Sequence, residues 1–199
     1  MALKITGIIG SPRKGMNTDV LVTKALEGAS SSVGAEIEKI YLNDLDIMPC
    51  QACENYPAPD YCFYHDGMDK IYHVLENSDG LVIGTPAYFA SFSAQLKLMI
   101  DRSNCLAEMS TQSNGKLTFK SRIKEKKKAI FIWVANVSKN PEHALASIRI
   151  WCRYFANIEL IDNLIVTRSD HGEGARNCAE LIDKAYNLGF LLGQAVLKK

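Results

Sequence analysis

The segment ITGIIGSPRKGMNT, residues 5–18, decides the fold class of this chain. Its apolar residues form a strand that breaks at Gly10, a polar and cationic loop follows, and a helical pattern begins at Asn17 and Thr18. This succession of strand, loop and helix is typical of α/β proteins, in which helices cover a mostly parallel sheet. The first prediction is therefore an α/β domain that begins with this strand.

The loop within this segment has the chemistry of a phosphate site. The first N–H groups of a helix have no intrahelical partner and lie at the positive end of its dipole, so they favour an anion. Around them the sequence places small residues, hydrogen-bonding side chains and positive charge, at Gly10, Ser11, Arg13, Lys14, Asn17 and Thr18. Two interpretations remain open, a phosphate cradle and an ordinary connection between strand and helix.

Two nucleotide-binding motifs do not fit the loop. Gly10 and Gly15 have the spacing of G-x-x-x-x-G-K-[ST], but Met16 and Asn17 stand where the motif requires Lys and then Ser or Thr. The dinucleotide motif G-x-G-x-x-G fails because Pro12 occupies its second glycine. A monophosphate therefore suits the loop better than a pyrophosphate.

Composition excludes several classes of partner. The 199 residues contain 23 Lys and Arg against 22 Asp and Glu, so a net charge of +1 gives no field that would attract nucleic acid or an anionic membrane. The chain shows no signal-peptide pattern and no apolar run of membrane-spanning length, so we expect a cytoplasmic protein. Six cysteines in such a chain indicate free thiols or ligands more than disulfides.

The rest of the chain alternates strands with helices. Strands are predicted at residues 5–9, 36–41, 80–84, 129–135 and 159–166, and helices at 17–33, 68–77, 91–109, 141–155 and 178–197. This pattern predicts a single domain over residues 1–199, a doubly wound five-stranded parallel sheet in the order 2-1-3-4-5 with helices on both faces. In that order the loops at 10–18, 85–91 and 136–140 meet at the carboxyl edge of the sheet. An irregular cysteine-containing loop covers about residues 48–66.

Four parts of the sequence carry a family resemblance. They are GSPRKGMNT at 10–18, PCQAC at 49–53 with Cys62 and Asp66 after it, GTPAYFASFSAQLKLMIDR at 84–102, and Glu142. Together they resemble the group of NADPH-dependent FMN reductases and iron–sulfur flavoproteins. The resemblance implies a flavodoxin-like, FMN-dependent oxidoreductase that takes electrons from NAD(P)H or a protein donor. It further implies a quinone, an iron centre, dioxygen or a ferredoxin-like partner as acceptor, and a homodimer or homotetramer.

The resemblance also implies the residues that contact FMN. The phosphate contacts map onto Ser11, Arg13, Asn17 and Thr18. The contacts to the ribityl chain and the isoalloxazine edge map onto Pro86, Ala87, Tyr88 and Phe89, although core or interface packing is the alternative for the two aromatic residues. No acid–base side chain is required, because the hydride chemistry belongs to the cofactor. The third loop, NVSKN at 136–140, lacks the glycine-rich stretch of relatives, which does not favour contacts from it.

The cysteine loop leaves three alternatives open. In the iron–sulfur members of the family a four-cysteine motif binds a [4Fe–4S] cluster, and three of its places map onto Cys50, Cys53 and Cys62, with Tyr56 at the fourth. The same three cysteines followed by His65 have the ligand types of a zinc site. The third alternative is a loop that binds no metal.

Two functions other than a reductase are also compatible with these departures from the family pattern. One is a flavin-containing electron carrier, with or without an iron–sulfur centre, that has no pyridine-nucleotide site. The other is a binding or regulatory module that keeps the fold without the cofactor, since fold alone does not establish function.

Overall fold

The computed structural model describes residues 2–53, 57, 59–137, 140–167 and 174–198. The strands of these ranges are β1 (Lys4–Ile9), β2 (Glu36–Tyr41), β3 (Gly80–Pro86), β4 (Ala107–Thr111), β5 (Leu117–Ser121), β6 (Lys127–Ala135) and β7 (Ile158–Thr167). The α-helices are α1 (Asn17–Val33), α2 (Met68–Asn77), α3 (Ala94–Arg102), α4 (Glu142–Ile150) and α5 (Ala179–Leu197). Within the described ranges no helix is long and apolar enough to cross a membrane.

Five strands form one parallel sheet in the order β2-β1-β3-β6-β7. If the hairpin β4–β5 is left aside, this is the predicted order 2-1-3-4-5, and the flavodoxin-like fold is confirmed. The central strands β3 and β6 are buried on both faces, which explains why their sequences are apolar without alternation.

Helices cover both faces of the sheet. On one face α1 and α5 pack over Ile5, Val82 and Ile132, and on the other face α2, α3 and α4 pack over side chains that alternate with these along the strands. The pair α1 and α5 lie in close contact because Gly28 and Gly189 face each other's helix. A Cβ on Gly189 would lie only 1.8 Å from the carbonyl oxygen of Ala25. The doubly wound architecture is thus as predicted.

Local signals in the sequence explain where helices begin and end. Helix α1 stops before Gly34, which adopts the left-handed conformation with φ of 66° and donates its N–H to the carbonyl of Ser30. The carboxylate of Asp66 accepts the N–H of Met68, the first residue of α2, at 2.8 Å.

The predicted helix at 91–109 is wrong in its second half. Helix α3 ends at Arg102, a short 3₁₀ turn covers Ser103–Leu106, and the chain then enters β4, which pairs antiparallel with β5. The polar stretch between these strands is a hairpin turn with φ of 79° at Gly115, not a helix end. Strand pairing closed by an Asn-Gly turn has overridden the helical periodicity of the preceding residues.

A candidate cofactor site at the carboxyl edge of the sheet

The first loop is bonded to the chain that follows β3. The N–H of Gly10 donates to the carbonyl of Gly84 at 2.7 Å, and the hydroxyl of Ser93 donates to the carbonyl of Gly10 at 2.6 Å. A Cβ on Gly10 would lie 3.0 Å from both Leu96 Cβ and Ser93 Oγ, so the position has little room for a side chain. Two of the three loops predicted to meet at this edge therefore do so.

Asp19 fixes the shape of the first loop. Its buried carboxylate accepts the N–H of Gly15 at 2.7 Å, the hydroxyl of Tyr41 at 3.1 Å and the ammonium of Lys39 at 3.2 Å. Burial alone would raise the pKa of Asp19, but these hydrogen bonds and the charge of Lys39 lower it on balance. The carboxylate is therefore ionised, and its ion pair with Lys39 offsets the negative charge that it places beside the loop.

The sequence analysis did not single out Asp19, although a local signal was present. It stands four residues after Gly15, in the first turn of α1, where an acidic side chain is favoured by the helix dipole. Gly15 itself needs the freedom of glycine because its φ is 69°.

The four residues predicted to contact phosphate lie on this one loop, but in different environments. Thr18 is 3% exposed, its methyl group faces Gly84, and within the described ranges its hydroxyl makes no hydrogen bond. Ser11 is buried and its hydroxyl accepts the N–H of Arg13 at 3.2 Å, while the side chain of Arg13 is exposed. The carbonyl oxygen of the Asn17 side chain already accepts the N–H of Arg176 at 3.1 Å, which leaves its amide nitrogen as the group for a ligand.

The second loop contains a strained turn. Phe89 and Ala90 have φ of 49° and 60°, a region that residues other than glycine rarely adopt, and the N–H of Ser91 donates to the carbonyl of Tyr88 at 2.9 Å. Phe89 is fully exposed and Tyr88 is 44% exposed, so neither is packed in the core of this chain. Such strain concentrates at functional sites.

Both ends of the second loop are anchored. The N–H of Ala87, next to Pro86, donates to the carbonyl of Val134 at 2.8 Å, and the indole of Trp133 donates to the carbonyl of Ser91 at 3.0 Å. The turn is thus held by β6 and presents its aromatic side chains to the surface at the carboxyl edge.

A residue from the end of the chain also reaches the first loop. Arg176 lies beyond β7, its backbone N–H donates to Asn17, and its guanidinium donates to the sulfur of Met16 at 3.0 Å. Gly174 permits this approach, because a Cβ there would lie 2.6 Å from the side-chain oxygen of Asn17. Sequence reasoning missed Arg176 because the two contacting segments are 160 residues apart.

The third loop contributes less. Val137 is exposed, and the side-chain oxygen of Asn140 accepts the N–H of Glu142 at 2.8 Å, so Asn140 serves as a cap for α4. Ser138 and Lys139 lie outside the described residues.

The cysteine loop does not assemble a metal site in the part of it that is described. Cys50 and Cys53 are exposed and Cys62 is buried, and in the described ranges no group of three or more Cys, His, Asp or Glu side chains converges. The ring of His65 lies between carboxylates, with Nδ1 at 3.2 Å from Asp69. Tyr56 lies outside the described residues, so both predicted ligand sets stay predictions.

Two arginines hold this loop in place. Arg102, only 2% exposed, donates to the carboxylate of Asp66 at 2.5 Å and to the sulfur of Cys62 at 3.6 Å. Arg122 donates to the backbone carbonyls of Tyr61 at 3.2 Å and Asp60 at 2.7 Å. Burial would lower the pKa of Arg102, but the hydrogen bond and charge of Asp66 raise it above its usual value. The same pairing with Arg102 lowers the pKa of Asp66 in spite of its burial.

Comparison with known proteins identifies the family of this site. The family described as NADPH-dependent FMN reductase matches residues 3–159. An iron–sulfur flavoprotein of Methanosarcina thermophila is 40% identical over 101 residues, which cover 51% of this chain and 52% of that protein. A Bacillus subtilis protein named as an NAD(P)H-dependent FMN-containing oxidoreductase is 34% identical over 100 residues, 50% of this chain and 51% of that protein. The matched segment thus spans about half the length of each relative.

A solved structure supports the fold. A flavone reductase superposes with a TM-score of 0.74 over 98% of this chain and 63% of its own, at 21% identity. At that identity the likeness concerns the fold alone.

Proposed function

The chain belongs to the NADPH-dependent FMN reductase family, and from this premise we propose that it binds FMN at the carboxyl edge of its sheet and transfers electrons from NAD(P)H to a second acceptor. The observation that carries the proposal is the first loop, where Thr18 is 3% exposed and its hydroxyl has no hydrogen-bond partner within the described ranges. A hydroxyl that no described residue binds is available to hydrogen-bond a ligand at this loop.

The donors of the loop fit a terminal phosphate. Thr18 and Ser11 supply hydroxyl groups, Asn17 supplies an amide, and Arg13 supplies a mobile positive charge at the start of α1. The ion pair of Asp19 with Lys39 offsets the negative charge that this carboxylate places beside the loop. When bound, FMN supplies the hydride and electron chemistry of the reaction.

The second loop has the position and shape to contact the flavin ring and ribityl chain. The turn at Tyr88–Ser91 holds backbone N–H groups in a fixed orientation and exposes two aromatic side chains that can cover an aromatic ligand and exclude water. These residues orient the cofactor, and the protein needs no acid–base side chain for hydride transfer.

The donor and acceptor are the finer part of the proposal. We expect NAD(P)H as donor and a quinone, an iron centre, dioxygen or a ferredoxin-like protein as acceptor, in a cytoplasmic homodimer or homotetramer. A flavin electron carrier without a pyridine-nucleotide site is the second candidate, favoured by the relative named as an iron–sulfur flavoprotein and by the cysteine loop. In that case Cys50, Cys53 and Cys62 would belong to an iron–sulfur cluster or zinc site.

Anaerobic reduction distinguishes these candidates. The FMN-loaded protein is mixed with NADPH, and separately with NADH, while the flavin absorption is followed, and iron and zinc are measured on the same preparation. Rapid bleaching supports the reductase, and its absence together with iron in the protein supports the carrier. If the protein takes up no FMN, both candidates fail, and the binding or regulatory module without cofactor is the remaining hypothesis.

A further inference from the structure

Arg176 is a cation held at the first loop without a matching anion in the described part of the chain. Its guanidinium donates to the thioether of Met16 at 3.0 Å, and among the described residues it forms no ion pair. A thioether is a weak acceptor, whereas a guanidinium is built for the two oxygens of a carboxylate or phosphate. The guanidinium of Arg176 is therefore available to bind a carboxylate or phosphate group.

The backbone places this side chain independently of the side chain's own contacts. The N–H of Arg176 is bonded to Asn17, Gly174 packs against the same amide with φ of 76°, and Ala175 is fully buried. The segment Ala175–Asn177 is thus docked on the start of α1. A substitution of the guanidinium leaves these backbone contacts in place.

A second observation points to a ligand at the same turn. Thr18, one residue beyond Asn17, is 3% exposed, and its hydroxyl has no hydrogen-bond partner within the described ranges. The hydroxyl of Thr18 on the first loop and the guanidinium of Arg176, which is docked on the same loop, are matched by an anion with several acceptor oxygens.

We propose that Arg176 binds the FMN phosphate and makes the site selective for FMN over riboflavin, which lacks the phosphate. The proposal rests on the proposed function. A phosphate monoester carries a charge of about −1.5 to −2 near neutral pH. The exposed Arg13 and the helix N-terminus, equivalent to about +0.5, together supply about +1.5, which matches only the lower end of that range, and Arg176 supplies the charge for its upper end.

The experiment titrates FMN and riboflavin into wild-type protein and into Arg176→Gln, Arg176→Lys and Arg149→Gln, following flavin fluorescence at two salt concentrations. Arg149 is an exposed arginine on α4 and serves as the matched control. We expect Arg176→Gln to weaken FMN binding by about ten- to one-hundredfold, the value of a charge-assisted hydrogen bond, and to leave riboflavin affinity within about twofold. Arg176→Lys should fall between, and the loss should shrink at high salt.

The outcomes separate this inference from the proposed function. If wild-type protein binds no FMN, the proposed function fails and the inference fails with it. If wild-type protein binds FMN and Arg176→Gln binds it equally well, or loses riboflavin affinity to the same extent, the inference alone is overturned. Thermal unfolding of each variant identifies a loss of FMN affinity that is caused by misfolding. If Arg176→Gln misfolds, the FMN affinity of Arg176→Lys, which retains the charge, tests the inference instead.

Discussion

The first loop and the cysteine loop satisfy their polar groups in opposite ways. In the first loop, backbone N–H groups are bound by a side chain close in sequence, as when Asp19 accepts from Gly15, and the hydroxyl of Thr18 has no partner within the described ranges. In the cysteine loop, backbone carbonyls accept hydrogen bonds from arginines distant in sequence, as when Arg122 donates to Asp60. The thiols of this loop differ in burial, since Cys50 and Cys53 are exposed and Cys62 is buried. The first arrangement leaves side-chain groups available at the loop, while the second holds in place a loop whose described residues set no ligand geometry.

The largest effect should come from the scaffold of the cysteine loop. Replacing Asp66 by alanine leaves the guanidinium of Arg102 buried without its partner, and breaking such a pair costs about 3–5 kcal/mol. We expect the free energy of unfolding, measured in urea, to fall by that amount while the protein that remains folded keeps its FMN affinity. A parallel loss of FMN affinity would show that the two loops are not independent.

Asp19→Asn should have the next largest effect, and it should affect both stability and binding. The substitution removes the charge that Lys39, Tyr41 and Gly15 share, and hydrogen bonds to a charged group contribute about 1.5–3 kcal/mol. We expect unfolding free energy to fall by about 2 kcal/mol and FMN affinity to fall with it, because the loop loses its fixed shape. An unchanged FMN affinity would contradict the claim that Asp19 shapes the site.

The same two carboxylates predict the response to acid. Folding lowers the pKa of Asp19 and of Asp66 below the ordinary value of 3.8. A group with a lowered folded pKa adds stability above its unfolded pKa and loses it as the pH falls through the folded value. Unfolding free energy should therefore decline below about pH 4, and the decline should be shallower in Asp19→Asn than in wild-type protein.

Thr18→Val should alter binding without a cost in stability. Valine keeps the shape of threonine and removes a hydroxyl that has no hydrogen-bond partner within the described ranges, so the unfolding free energy should stay nearly the same. FMN affinity should fall by about 1.5 kcal/mol, or about tenfold in Kd, because a hydrogen bond to phosphate is lost. Ser32→Ala on the same helix is the control, since it should leave FMN affinity unchanged.

The smallest effect concerns the strained turn of the second loop. Phe89 is fully exposed and has φ of 49°, so glycine at this position removes strain without removing a core contact. We expect Phe89→Gly to raise unfolding free energy by about 0.5–1 kcal/mol, as relief of strain exceeds the added entropy of the unfolded chain. The variant should also bind FMN more weakly, and a loss of stability would contradict the assignment of strain.

The contrast between the two loops also explains what the sequence could predict. The strand order and most helix ends depend on local patterns, such as the apolar run of β6 and the glycine after α1, and these were predicted correctly, while the phosphate loop stays a prediction. Arg176 and Arg122 contact segments that are distant in sequence, and no local sequence pattern predicts such contacts. The hairpin β4–β5 was missed because its pairing competes with a helical periodicity that continues from α3.

The central claim is that the first loop is a phosphate cradle for FMN. The most direct test is to incubate the protein with excess FMN, remove the unbound flavin by gel filtration, and record the absorption spectrum of the protein peak. We predict flavin absorption that elutes with the protein, close to one FMN per chain, in wild-type protein and in the control Arg149→Gln. A protein peak without flavin bands would contradict the account and leave the loop as an ordinary connection between β1 and α1.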